Sequence, residues 1–351
     1  MMIRWIISND KIYRDKGRIK MKLLRRIDIT GKKAIAVSAV FLALGGSSLP
    51  SFAAESIVFI GNSFTYGARA PNVQAYRPST VTDLNGGNVG GVPALFKAFT
   101  TQAGRDYNVS LETVGGTGFQ YHFENKQPIL NSQPWDHVVM HGHSLLNLAS
   151  PGNTSEVIDY SNRLAQMFTA TNPNVDVNLM ATWSRADQTY RVTTGPWFGK
   201  DITQMGEDIA VAYAEADRQS DFIDGVIPVG LAWNRAMETG FADINPYDGI
   251  DAGKINLWGS DSYHGSMYGY YLEALTIFGD ITRIDPRSLG SNEYVARELG
   301  ISQVQAAAMQ QLAFEQLVAS GVDVPEPATI ALFGLGALGL LASRRRARKA
   351  M

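Results

Sequence analysis

The chain has 351 residues, of which 45% are hydrophobic and 18% are charged, a composition typical of folded proteins. It contains no cysteine, which excludes disulfide bonds, thiolate catalysis and cysteine-based metal sites. The formal net charge of −2 hides an uneven distribution, because residues 55–324 hold 15 Lys and Arg against 29 Asp and Glu. A body with a net charge near −14 argues against nucleic acids and anionic lipid head groups as partners.

The first 54 residues predict an N-terminal extension followed by a secretory signal peptide. Residues 21–33 are rich in Lys and Arg, residues 34–44 are apolar, and a run of small residues leads to Ala53 and Ala54. A basic segment, a short apolar core and small residues before the cleavage point are the three parts of such a signal. We expect signal peptidase to cut after Ala53 or Ala54, because the apolar core is too short to cross a bilayer.

Apolar strands alternate with amphipathic helices through the rest of the chain. Buried strands are predicted at 57–61, 108–114, 137–142, 175–182 and 222–229. Helical spacing of apolar residues predicts helices at 92–102, 157–170, 202–216, 231–237, 266–278 and 303–318. This alternation indicates βαβ units, and therefore one α/β domain with a parallel sheet covered by helices on both faces.

Two long loops are predicted at the carboxyl ends of strands, at 68–91 and 184–200. Long loops in compact domains are usually functional, and open α/β sheets bind ligands at this edge. The second loop holds Tyr190 and Trp197 and begins just after Trp183. These aromatic side chains either stack on sugar rings or pack within the protein.

The sequence IVFIGNSFTYG at 57–67 ends its strand with Gly61, Asn62 and Ser63. One interpretation is a turn followed by a helix cap, since Ser and Asn often cap helices. The other is a serine nucleophile, which needs a base and a carboxylate that orients the base. Asp261 and His264 fit these roles, because on one tight turn a carboxylate three residues away reaches imidazole Nδ1 and leaves Nε2 free.

Together, Gly61-Asn62-Ser63 and Asp261-x-x-His264 resemble the motifs of the SGNH/GDSL hydrolase superfamily, and the resemblance covers most of residues 55–280. It implies a three-layer α/β/α sandwich with a five-stranded parallel sheet, a flavodoxin-like arrangement. It also implies a carboxylic ester hydrolase in which Ser63 is the nucleophile, Asp261 and His264 complete the triad, and no cofactor is needed.

The resemblance further implies an oxyanion hole with three donors: the nucleophile's backbone N–H, a glycine N–H after the second strand, and a side chain after the third. The family's third donor is an asparagine, but this chain reads His141-Gly142-His143-Ser144 there. The predicted donors are Ser63, Gly116 and Ser144, with Gly115 as an alternative to Gly116 and with His143 or His141 as alternatives to Ser144.

A second interpretation of the histidines is a metal site. His141 and His143 are two residues apart and would face the same way on an extended strand. With His122 they make a candidate zinc site, since zinc accepts imidazole ligands. The other interpretation, a polar pocket wall without a metal, is the one we adopt.

The C-terminal residues 325–351 read Pro325-Glu326-Pro327, an apolar stretch at 328–342 and an Arg-rich end. This order resembles the PEP-CTERM sorting signal. The resemblance implies an exported protein of a Gram-negative-type bacterium, held transiently at the inner membrane by the apolar segment and processed by an exosortase. Such proteins reach the cell surface or the extracellular matrix.

The sequence therefore predicts three segments: the extension and signal peptide at 1–54, the hydrolase domain at 55–324 and the sorting segment at 325–351. The predicted function is a secreted serine esterase with an acetylated polysaccharide as its first candidate substrate. The alternative is a non-catalytic matrix or carbohydrate-binding protein built on the same fold.

Overall fold

The computed structural model describes residues 54–325, and its centre is a sheet of six parallel strands. The strands are β1 (Glu55–Gly61), β2 (Thr82–Asp83), β3 (Tyr107–Thr113), β4 (His137–Met140), β5 (Asp176–Met180) and β6 (Gly225–Ile227). Their order across the sheet is β2-β3-β1-β4-β5-β6. The predicted parallel α/β sheet is confirmed.

Helices connect the strands. They are α1 (Pro71–Gln74), α2 (Gly91–Gln102), α3 (Phe119–Asn125), α4 (Gln127–Leu130), α5 (Ser155–Thr171), α6 (Ala186–Tyr190), α7 (Gln204–Gln219), α8 (Val229–Glu238), α9 (Met267–Thr282), α10 (Tyr294–Leu299) and α11 (Gln303–Ala319). Two 3₁₀ turns lie at Pro78–Thr80 and Pro286–Leu289. Each of the six predicted helices corresponds to one of the longer helices.

The predicted number of five strands is wrong, because β2 adds a sixth at the edge of the sheet. Thr82 and Asp83 pair with Ser110 and Leu111 of β3. A two-residue strand inside a loop rich in Gly, Asn and Pro has no periodicity of its own, so its pairing depends on the free edge of β3. The loop predicted at 68–91 therefore contains α1, a 3₁₀ turn and this strand.

The sheet is buried on both faces. Ile57 and Phe59 of β1 belong to the apolar cluster formed with α2, α8, α9 and α11. Val58 and Ile60 belong to the cluster on the opposite face, formed with α3, α5 and α7. Because successive side chains of a strand point to opposite faces, an unbroken apolar run is what a strand between two helix layers requires. The three-layer sandwich is confirmed.

Strands β1, β3 and β4 end at the same level of the sheet. Gly61 is paired with Thr113, and Ile60 with Met140. The segments that follow these three strands therefore meet at one carboxyl edge. The chain passes from β1 to β3 on one side and to β4 on the other, and ligands of open α/β sheets bind at such a reversal of strand order.

The signal peptide and the C-terminal apolar segment predicted from the sequence lie outside the described residues. Among residues 54–325, no helix is both long enough and apolar enough to cross a membrane.

Candidate active site

A tight turn after β1 holds Ser63 at the carboxyl edge of the sheet. The Asn62 carbonyl accepts a hydrogen bond from the Thr65 N–H at 3.1 Å, so the chain reverses directly after the strand. A Cβ at Gly61 would lie 2.3 Å from His141 Nε2, so only glycine fits at the end of β1. Ser63 is 5% exposed, and its position after the first strand is the one predicted.

Asp261 and His264 form the hydrogen-bonded pair that their spacing predicts. His264 Nδ1 donates to Asp261 Oδ2 across 2.7 Å, while Asp261 Oδ1 accepts from the backbone N–H groups of Tyr263 and His264. Burial favours the neutral carboxyl, but the hydrogen bonds from His264 outweigh it and lower the pKa of Asp261. Because Nδ1 is committed to the carboxylate, Nε2 is left as the basic nitrogen.

The turn that carries Ser63 packs against the turn that carries His264. The ring of Phe64 lies 5.7 Å from the His264 ring, centroid to centroid. The Tyr270 hydroxyl donates to the carbonyl oxygens of Ser63 (3.4 Å) and Ala68 (2.9 Å). Within residues 54–325, no hydrogen bond joins the Ser63 hydroxyl to the His264 ring, so the contact between nucleophile and base stays a prediction.

Asn62 ties together the loops that follow three strands. Its Nδ2 donates to the carbonyl oxygens of Thr117 (2.9 Å) and Gly142 (3.3 Å), and its Oδ1 accepts from the Phe64 N–H (3.2 Å). The side chain is 3% exposed, so these bonds have little competition from water. The sequence indicated Asn62 only as a neighbour of the nucleophile, and its bridging role depends on distant segments.

Gly115 and Gly116 follow β3 as predicted, and both are exposed at the sheet edge. Gly116 has a φ of +75°, a left-handed conformation that favours glycine, and open space surrounds its Cβ position. A Cβ on Gly115 would lie 3.0 Å from the Tyr66 hydroxyl. Which of the two N–H groups faces a bound oxyanion stays a prediction.

His143 and Ser144, the two leading candidates for the third donor, have different surroundings. His143 Nδ1 accepts from the Leu145 N–H at 3.2 Å, so the proton of the neutral ring is on Nε2. Burial and the nearby Arg185 charge lower the pKa of His143 to about 4, so the ring is neutral near pH 7. Ser144 Oγ accepts from Arg185 Nη1 at 3.3 Å, and the residue is 2% exposed.

His122 is fully buried, and its Nδ1 is hydrogen-bonded to the carboxylate of Glu112, which is also fully buried. The Thr117 hydroxyl donates to the Val114 carbonyl, so it accepts from His122 Nε2 at 3.1 Å. Burial opposes ionisation of Glu112, but the His122 hydrogen bond and charge outweigh it and lower the pKa of Glu112. This pair supports Thr117 from below the loop of Gly115 and Gly116, a role that sequence spacing alone gave no signal for.

The third histidine of the alternative zinc site, His141, is also engaged in hydrogen bonds. Its Nδ1 donates to the Gly142 carbonyl at 2.9 Å, and its Nε2 accepts from Thr65 Oγ1 at 2.8 Å. Burial lowers the pKa of His141 to about 4. In the described part of the chain, no group of three or more metal-ligating side chains is arranged to hold a metal ion.

The interpretation of Trp183 and Trp197 as sugar-stacking residues is wrong, because both side chains are buried. Trp183 is stacked between Phe64 (4.1 Å) and Trp233 (4.4 Å), and Trp197 Nε1 donates to Asp208. The loop predicted at 184–200 contains α6 and carries Trp197 inward. Trp183, just before this loop, is packed beneath the Ser63 turn through its contact with Phe64.

A cavity of about 330 Å³ opens beside Gly116 and His143. It lies between the loop after β3, the loop after β4 and the helices α3 and α5. Two residues that are candidate oxyanion donors therefore line the same solvent-accessible space.

Comparisons with known proteins support the fold and the sorting segment. Residues 323–346 match the PEP-CTERM protein-sorting motif, which indicates export and surface sorting. No curated protein sequence matches the chain. A solved structure of a DUF4886 family protein from Bacteroides uniformis matches with 17% identity and a TM-score of 0.55, covering 79% of this chain and 99% of that one.

Other solved structures match more distantly. TesA has 13% identity and a TM-score of 0.43, covering 64% of this chain and 96% of its own. Axe2, an acetylxylan esterase from Geobacillus stearothermophilus, has 16% identity and a TM-score of 0.41, covering 71% and 95%. The chain thus combines an α/β sandwich similar to that of the DUF4886 protein with a PEP-CTERM protein-sorting motif.

Proposed function

We propose that the domain of residues 55–324 is a serine esterase that acts on carboxylic esters through an acyl-enzyme. Ser63 Oγ attacks the ester carbonyl, and His264 Nε2 takes the proton of the hydroxyl. Asp261 orients the His264 ring and stabilises its positive charge. The protonated ring then gives its proton to the leaving alcohol, and water, activated by the same ring, releases the acid.

One observation carries this proposal. The hydrogen bond from His264 Nδ1 to Asp261 lies on a turn that packs against the Ser63 turn through Phe64. A helix cap or a surface histidine would not require a carboxylate, an imidazole and a strand-end serine at the same edge of the sheet. Loose nucleophile–base geometry in the free enzyme is compatible with the mechanism, because such contacts often tighten when substrate binds.

The negative charge on the carbonyl oxygen needs donors that are already in place. We assign this role to the backbone N–H groups of Ser63 and Gly116 and to the Nε2–H of His143. His143 is preferred to Ser144 because its Nε2–H lacks an acceptor within residues 54–325, whereas Ser144 Oγ is bound by Arg185.

The biological setting is proposed from the ends of the chain. Signal peptidase removes the N-terminal segment, the apolar C-terminal segment attaches the protein transiently to the inner membrane, and an exosortase processes the tail. The esterase then meets its substrate at the surface or in the extracellular matrix, where an acetylated polysaccharide is the proposed ester.

The deciding experiment is hydrolysis of p-nitrophenyl acetate by the protein and by its Ser63→Ala and His264→Ala variants. We expect the wild-type protein to hydrolyse this ester, and we expect each substitution to reduce its turnover by roughly 10³-fold or more. Turnover that survives Ser63→Ala would come from another group, and a folded protein without turnover would favour the non-catalytic alternative.

A further inference from the structure

We propose that the cavity beside Gly116 and His143, called here the glycan cavity, binds the sugar ring that carries the scissile ester and selects neutral or amine-bearing sugars over uronic acids. This inference rests on the proposed function, since it identifies the alcohol part of the ester that Ser63 would cleave. It goes beyond that function by assigning the site and its charge preference.

The glycan cavity lies next to the nucleophile turn. Gly116 and His143 line it, and each is a sequence neighbour of a residue that Asn62 contacts. Those contacts, to the carbonyl oxygens of Thr117 and Gly142, fix the Ser63 turn against this side of the sheet edge. An ester held by the proposed oxyanion donors would therefore extend one of its two ends into the glycan cavity.

His143 supplies an independent sign of a ligand. The residue is 7% exposed, its Nδ1 is occupied by the Leu145 N–H, and its Nε2–H has no acceptor among the described residues. His143 Nε2 is not among the buried side-chain atoms that lack a partner, so solvent reaches this donor and a ligand oxygen can accept from it. His143 lines the glycan cavity, so we take its unused donor as a group for a ligand bound there.

The lining of the glycan cavity matches a sugar better than an acyl chain. Gln120 and Asn125 offer amide donors and acceptors, Tyr121 offers an aromatic ring, and Leu148, which is 63% exposed, offers an aliphatic surface. A sugar ring has hydroxyl groups at its rim and C–H groups on its faces, so it uses both kinds of contact. An acyl pocket would instead be lined mainly by apolar side chains.

The charge of the lining decides between classes of sugar. Glu124 and Glu156 both line the glycan cavity, and no Lys or Arg from the described chain does. Glu124 accepts hydrogen bonds from Gln120 (2.9 Å) and the Tyr160 hydroxyl (3.0 Å), and Glu156 accepts from Asn147 (3.0 Å). These partners are neutral and bring no positive charge to the two carboxylates, while burial raises the pKa of Glu156 from its ordinary value.

Nearby cations are committed to other carboxylates. Arg163 stacks near Tyr160 but forms its ion pair with Asp159 at 2.9 Å, and Lys126 lies 3.4 Å from the buried Glu112. A uronic acid would therefore bring its carboxylate towards two like charges, whereas a neutral sugar would meet only hydrogen-bonding groups.

The test compares two mono-O-acetylated methyl glycosides that carry the acetyl group at the same position, a glucoside and a glucuronoside, by rates of acetate release. We expect kcat/KM to favour the neutral glucoside by roughly 10-fold at low ionic strength, a preference that salt weakens. Glu124→Gln, Glu156→Gln and their combination should lower this ratio stepwise. Glu238→Gln, at the end of α8 where the chain has returned to the opposite edge of the sheet, is the matched control and should leave the ratio unchanged.

The outcomes separate the inference from the proposed function. If the protein hydrolyses p-nitrophenyl acetate but shows a ratio within twofold of unity, or one that only Glu238→Gln changes, the glycan cavity is not charge-selective and the inference is wrong. If the protein hydrolyses no ester, the esterase proposal fails. In that case the glycan cavity is tested by measuring the binding of unacetylated methyl glucoside and methyl glucuronoside with saturation-transfer NMR. Equal binding of the two sugars, or no binding of either, overturns the inference.

Discussion

At the scale of single residues, His143 and Ser144 make opposite predictions for the third oxyanion donor. Loss of one oxyanion donor typically lowers turnover by roughly 10²- to 10³-fold. We expect His143→Ala to lower kcat for p-nitrophenyl acetate within that range and Ser144→Ala to lower it by less than about 10-fold, because Arg185 occupies Ser144 Oγ.

The pH profile provides a second test of His143. Because the pKa of His143 is about 4, its ring stays neutral from pH 5.5 to 8 and does not titrate with activity there. His143→Ala should therefore lower the rate by the same factor across this range. A profile whose shape changes near neutrality in the variant, or a Ser144→Ala loss larger than the His143→Ala loss, would contradict the assignment.

Asn62 is a positioning residue, because it acts through the loops that it holds. In Asn62→Ala the carbonyl groups of Thr117 and Gly142 lose a donor, and the glycine loop is no longer fixed against the Ser63 turn. We expect kcat to fall by roughly 10- to 100-fold while KM changes less than about threefold, since small misplacements of catalytic groups are costly in rate.

Steady-state kinetics of Asn62→Ala and Asn62→Asp provide the check. Aspartate keeps the acceptor for the Phe64 N–H but lacks both donors, so it should not restore the rate. If Asn62→Asp has wild-type kcat, the two donated hydrogen bonds do not position the site.

At the scale of secondary-structure elements, the stack of Phe64, Trp183 and Trp233 connects the core to the site. Removing a fully buried tryptophan leaves a large cavity, so Trp183→Ala should lower the free energy of unfolding by about 3–5 kcal/mol. Phe198→Ala is the control, because Phe198 is 43% exposed on the segment after α6 and should cost about 0.5 kcal/mol or less. Urea unfolding measures both values, and equal losses would mean that the stack does not support the fold.

A strand or helix was predictable from the sequence wherever its own segment carries a regular pattern of apolar residues. The apolar run of β1 predicted a buried strand, because both faces of the sheet are covered by helices. The helical spacing of apolar residues predicted α5 and α7. The two-residue strand β2 was missed, since only its pairing with β3 makes it a strand. The sequence left open whether Trp183 is buried or stacks on a sugar for a related reason, because residues beside a loop have no periodicity that distinguishes an inward from an outward ring.

In the candidate site, too, contacts within one local turn were predictable and contacts between distant segments were not. The Asp261–His264 hydrogen bond was predictable because three residues on one turn determine it. Asn62 contacts segments 55 and 80 residues away, and the proton position of His143 depends on the Leu145 N–H of a folded loop. Such contacts depend on tertiary structure, so sequence spacing gave no signal for them.

At the scale of the whole molecule, acid should destabilise the protein through its buried neutral histidines. The pKa values of His141 and His143 are about 4 in the fold, below the ordinary value of 6.5. Between pH 6.5 and pH 4, these two rings bind protons in the unfolded chain but not in the folded protein. The free energy of unfolding therefore falls as the pH drops over this interval. Each ring contributes roughly 3 kcal/mol of loss over this interval.

Urea unfolding at pH 6.5 and pH 4.5 tests this prediction. His143→Gln removes one titrating ring and should reduce the loss between the two pH values, whatever its effect at pH 6.5. A pH dependence as steep in the variant as in the wild type would show that His143 is not the source.

The sorting tail should be dispensable for folding and for esterase activity. The last long helix, α11, ends at Ala319, and after it Val324 is 6% exposed. Deleting residues 325–351 keeps Val324 and every element of the sheet, so the thermal midpoint and kcat should stay at the values of the longer protein. The fraction of protein that sediments with membranes should change, because the apolar segment is gone.

A deletion from residue 320 is the matched control. It also removes Val324 and the hydrogen bond from the Val322 N–H to the Leu317 carbonyl, which closes the end of α11. This variant should unfold at a lower temperature than the deletion from residue 325, since burial of a valine contributes roughly 1.5–3 kcal/mol. If the shorter deletion already prevents folding, the domain depends on the tail and does not end at residue 324.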